Sequence, residues 1–146
     1  MGILVDKYLL QALEAYPYNL EETIESLQYA LSYDDKNPMA LCLMGRVYAE
    51  QLGDDEMAKS YYERALTQDI HAVKIYPKYI NVLLWNEDYE EASTLIDFAL
   101  TVKETDKAVM YLKRAILLEQ KRDYKSALAA LKEVKNYAYN SSFTAN

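Results

Sequence analysis

Apolar residues along the chain recur at helical spacing, and short polar marks interrupt them at a nearly fixed period. Asn19-Leu20-Glu21-Glu22-Thr23, Asp54-Asp55-Glu56-Met57-Ala58, Asp88-Tyr89-Glu90-Glu91-Ala92 and Asp123-Tyr124-Lys125-Ser126-Ala127 follow one another at steps of 35, 34 and 35 residues. Each mark opens with Asn or Asp, whose side-chain oxygen can accept a bond from an orphan N–H at a helix start. Four residues after the small residue that closes each mark stand Leu27, Tyr62, Ile96 and Leu131. Seven after it stand Ala30, Ala65, Ala99 and Val134, and eight after it Leu31, Leu66, Leu100 and Lys135. With about 3.6 residues per turn these positions share one face, which predicts four helices starting near 20, 54, 89 and 124, each with that face buried. A second set of helices is predicted at 38–51, 73–86 and 107–121, with a less regular one at 3–16. Leu41, Met44, Gly45 and Tyr48 mark the buried side of one of them, and Tyr111, Ala115 and Leu118 that of another.

Each repeat therefore reads as an antiparallel helix pair. Pro17 closes the first helix, Pro38 stands where a missing N–H costs nothing, and Pro77 falls in a first turn. Acidic residues after each cap suit the positive end of the helix dipole, and Glu22 and Glu91 stand at the capping-box position. A period of this length means stacked helical repeats. The expected fold is all-α, a right-handed α-solenoid of about four helix pairs, in one domain over 1–137 with a tail over 138–146.

Composition narrows the function. Three Gly and three Pro in 146 residues, against 15 Tyr, leave few tight turns and disfavour a strand-rich fold. A formal charge of -7 opposes binding to phosphate backbones, so nucleic acid is not an expected partner. Cys42 is the single cysteine, the N-terminus has no basic segment before an apolar core, and no apolar run approaches the roughly 18 residues that span a bilayer. These features predict a soluble, cytoplasmic protein without a membrane partner.

The unit from Leu41 through Met44-Gly45 and Tyr48 to Ala58, Tyr62 and Ala65 resembles the tetratricopeptide repeat, a 34-residue helix pair with a small-large-small pattern. The resemblance covers about residues 19–136 and is degenerate. Leu41, Tyr76 and Tyr111 replace the family's Trp, and its Gly survives only as Gly45. It implies that the first helix of each pair lines a concave groove. The groove positions would be Met39, Cys42, Leu43 and Arg46, then Lys74, Pro77, Lys78 and Asn81, then Val109, Leu112, Lys113 and Ile116. Such a mixture of cations and apolar side chains suits a peptide or protein segment with carboxylates between apolar anchors. Laying Lys and Arg stems over apolar surface would serve solubility alone. Leu43, Lys78 and Lys113 at one groove position include no Asn, which disfavours the family's clamp for a chaperone C-terminus.

The function expected from this resemblance is a non-catalytic protein-interaction module. Its alternatives are a secretion or assembly chaperone for one client, and an oligomeric scaffold or regulatory subunit that uses its ends or convex face. No cofactor or metal is expected: His71 is the only histidine, and no phosphate loop, HExxH, GxSxG or CxxC is present. Trp85 and Phe98 are expected in the core between repeats. The last helix carries Leu128, Leu131 and Val134 with only an aromatic tail after it. Either that tail covers the apolar face or a second chain does, so a homo-oligomer through this end is expected if the tail stays open.

Overall fold

Eight α-helices and one π-helical segment make up the computed structural model, whose backbone is described over residues 2–144 and whose side chains over residues 2–139. No strand occurs among the described residues. The helices are α1 (Gly2–Ala15), α2 (Leu20–Tyr33), α3 (Pro38–Arg46), α4 (Asp55–Gln68), α5 (Ile75–Trp85), α6 (Tyr89–Thr101), α7 (Lys107–Gln120) and α8 (Tyr124–Thr144). The π segment, Val47–Leu52, continues α3.

The polar marks are helix starts. Asn19, Asp54 and Asp123 accept the backbone N–H three residues on, from Glu22, Met57 and Ser126. Asn37 and Asp106 do the same for α3 and α7. Asp88 makes no such cap bond, and its carboxylate accepts the Asn86 side-chain amide at 2.7 Å. Pro77 sits in the first turn of α5, where its missing N–H breaks no intrahelical bond.

The chain divides into two compact units, one up to Ile75 and one from Tyr76 onward, where the sequence period suggests a single domain. In the first unit Leu9 and Ala12 of α1, Leu27 and Ala30 of α2, and Ala40, Leu43, Met44 and Val47 form one buried cluster. Each large side chain so buried contributes about 1.5–3 kcal/mol. Gly45 lies under the ring of the fully buried Tyr62. In the second unit Tyr76, Ile80 and Leu83 of α5, Ala92, Ile96 and Ala99 of α6, and Met110, Ala115 and Leu117 of α7 are buried.

Several positions depart from the sequence reading. Leu131 holds the place at which Leu27, Tyr62 and Ile96 are at most 1% exposed, yet it is 44% exposed. Residues 138–144 continue α8, so that part of the expected tail is helix, while 145–146 lie outside the described residues. Trp85 is 83% exposed and Phe98 is also exposed, where core positions were expected. Trp85 is the last residue of α5, one turn beyond the exposed Asn81, and Phe98 lies off the Ala92, Ile96 and Ala99 stripe of α6.

Candidate functional site

The groove positions of the first unit lie on α3. Met39 is exposed, and Cys42 and Arg46 are half-buried. Leu43 belongs to the buried cluster with Leu27 and Met44, so it packs against α2 and offers no surface to a ligand. Arg46 is held rather than free: its guanidinium lies 4.9 Å from the centre of the Tyr16 ring and 3.4 Å from a Glu50 carboxylate oxygen. Tyr16 also donates its hydroxyl to Glu50. Burial, and then the hydrogen bond to Glu50, push the Tyr16 phenol above its ordinary value. The carboxylate thus compensates the cation locally, and a partly exposed pair of this kind contributes at most about 1 kcal/mol. Lys74 stands in the turn before α5 rather than on the helix, because α5 begins only at Ile75.

The second unit assembles more of the predicted positions. Asn81 of α5 accepts a bond from the Lys113 ammonium of α7 at 2.6 Å. Asn81 and Ile116 line one cleft together with Leu84, Trp85, Glu87, Tyr89 and Gln120. Lys78 and Val109 are half-buried nearby in sequence, and Leu112 is exposed. Burial lowers the Lys113 pKa from its ordinary value, since an ammonium loses hydration there. The cleft therefore combines an indole and two aliphatic side chains with an amide pair, a lysine beside it and the Glu87 carboxylate. Such an arrangement offers apolar contact together with a few directed hydrogen bonds.

Sequence reasoning placed Asn81, Lys113 and Ile116 on the inner face, but it assigned Trp85 to the core. Trp85 follows Asn81 by four residues, one helical turn on, so the register itself puts the two on one face. Glu87, Tyr89 and Gln120 reach the cleft from helix ends, for which the repeat pattern gives no signal. Among the described residues no group of three or more His, Cys, Asp or Glu side chains is placed to hold a metal ion. No helix among them is long and apolar enough to cross a membrane.

No family model matches the chain, and no curated protein is similar to it in sequence. Solved structures do resemble it. The crystal structure of MamA superposes with a TM-score of 0.84 at 16% identity, over 94% of this chain and 80% of MamA. A mutant O-GlcNAc transferase from Thermobaculum terrenum matches with a TM-score of 0.68 at 21% identity, over 80% of this chain. The match spans 22% of the transferase, about a fifth of its length. These likenesses show an all-α, tetratricopeptide-like solenoid fold.

Proposed function

On a tetratricopeptide-like fold, we propose that this chain is a non-catalytic protein-interaction module that holds an extended or helical segment of a partner on the inner face of α5 and α7. The observation that carries this reading is the exposed Trp85 indole in a cleft with Asn81, Ile116 and Gln120. An isolated exposed tryptophan is a cost in water, whereas one beside directed polar groups is the usual anatomy of a binding anchor. Lys113 and Asn81 supply donors for a partner's carbonyl or carboxylate oxygens, and Ile116 and Leu112 extend the apolar contact.

Trp85 is the only tryptophan in the chain, so its fluorescence reports on the cleft alone. Peptides selected from a random library on the full-length protein should shift that emission. They should bind the Trp85→Ala variant at least about thirtyfold more weakly, as loss of a hot-spot anchor worth about 2 kcal/mol requires. Lys113→Glu should select against acidic peptides within the same pool. Selected peptides that bind Trp85→Ala unchanged would remove the cleft from the binding site.

A further inference from the structure

Charge is distributed unevenly along the repeats. The first helix pair, α1 and α2, holds five carboxylates (Asp6, Glu14, Glu21, Glu22, Glu25) against Lys7 alone. The last pair with its connecting turn, residues 107–144, holds eight Lys or Arg against Glu119, Asp123 and Glu133. An acidic protein thus carries a basic last repeat and an acidic first one.

Both of these repeats also leave an apolar stripe uncovered. On α8, Tyr124, Leu128 and Leu131 are exposed on one side of the helix, with the exposed Lys135 among them and the exposed Lys132 at their edge. Leu27 at the position equivalent to Leu131 is fully buried, in a cluster with Ala40, Leu43 and Met44 of the helix that follows it. Leu131 lacks such a cover, and α8 continues to Thr144 as one helix instead of folding its aromatic end back. On α1, Ile3, Leu10 and Leu13 lie outside the buried Val5, Leu9 and Ala12 stripe and are exposed, and the exposed Asp6 and Glu14 share their side of the helix. An apolar face that bears lysines and an apolar face that bears carboxylates are complementary in both respects.

We propose that the exposed face of α8 docks α1 of a second copy of this chain, so that α1 takes the place that α3 holds over α2. The contact is heterologous, with a different surface used on each copy, so a copy docked through one face still offers its other face to a third. It is independent of the α5–α7 cleft.

The test is sedimentation velocity of the full chain over a concentration series. The mean mass should rise with concentration above the 16.9 kDa of one chain and fall back in high salt, which screens the flanking charges. Leu128→Glu/Leu131→Glu blocks one face and Leu10→Glu/Leu13→Glu the other, so each variant alone should be monomeric with unchanged helical circular dichroism. Mixed in equal amounts they should give a species of two chains and nothing larger, because one intact face of each kind remains. A monomeric wild type, a mixture that stays monomeric, or self-association of either variant alone would overturn the proposal. Should a leucine variant lose helicity, charge exchange decides. Lys132→Glu/Lys135→Glu should weaken association about tenfold, and mixing with Asp6→Lys/Glu14→Lys should restore it. No restoration would equally overturn the proposal.

Discussion

At the scale of single residues, Gly45 and Tyr62 show what the sequence pattern can and cannot specify. Gly45 stands at the family's glycine position, and a Cβ built there would lie 2.7 Å from the Tyr62 ring. Alanine would gain up to about 1 kcal/mol of helix propensity. Against that, the ring is 1% exposed, and overpacking a buried site of this kind costs about 1–3 kcal/mol. Overpacking wins, so Gly45→Ala should lower stability by about 1–2 kcal/mol in denaturant unfolding, and the same substitution made in a Tyr62→Leu background should cost much less. An unchanged midpoint would show that the ring moves freely. The small-large match between these two positions was legible in the sequence because both lie on buried stripes. The register also puts Trp85 on the side of Asn81, but how far the indole is exposed was not legible, since that depends on how far a neighbouring helix reaches.

At the scale of elements, helix starts were more legible than helix ends. A cap needs one particular side chain, Asn or Asp here, and that requirement is written in the residue type. The ends depend on backbone conformation. Gly53, Glu87 and Arg122 each have φ near +60° (63°, 59° and 63°), and each immediately precedes an aspartate that opens the next helix. The Asp88 and Asp123 N–H groups bond back to Leu83 and Leu118, whereas the Asp54 N–H reaches one residue further, to Tyr48, across the wider turn of the π segment. Only the first of the three left-handed positions is glycine, so the repeated turn is invisible to a search for Gly. A side chain in this conformation costs about 1 kcal/mol, and Arg122 is exposed. Arg122→Gly should therefore raise the unfolding free energy by about 0.5–1 kcal/mol, while Gly53→Ala should lower it by a similar amount. Equal midpoints for wild type and Arg122→Gly would mean that the arginine makes a contact that offsets the strain.

At the scale of the whole molecule, the period of the polar marks carried the fold class, because a repeat of that length is one helix pair. The charge pattern and the titration behaviour are likewise properties of the chain taken together. Burial is the leading cause that raises the phenols of Tyr16, Tyr62 and Tyr111, most of all for Tyr62, which is the most deeply buried of them. Unfolding returns these groups to the ordinary value of 10.0, so above that pH the unfolded chain releases protons that the folded chain keeps. Their contribution is fully present below pH 10 and is lost as pH rises through the folded-state values. Lys113 acts in the opposite sense: burial depresses its pKa below 10.5, so its contribution grows as the ammonium loses its proton. Three phenols oppose one partly exposed lysine, and the phenols win. Above about pH 9.5 the unfolding temperature should fall, with Tyr62 alone giving a limiting slope of about 1.4 kcal/mol per pH unit. In Tyr62→Phe the level of stability can shift, but its alkaline decline should become shallower, and tyrosinate absorbance should show one phenol fewer that ionises only on unfolding. A decline of unchanged slope in Tyr62→Phe would move the alkaline sensitivity to Tyr16 and Tyr111.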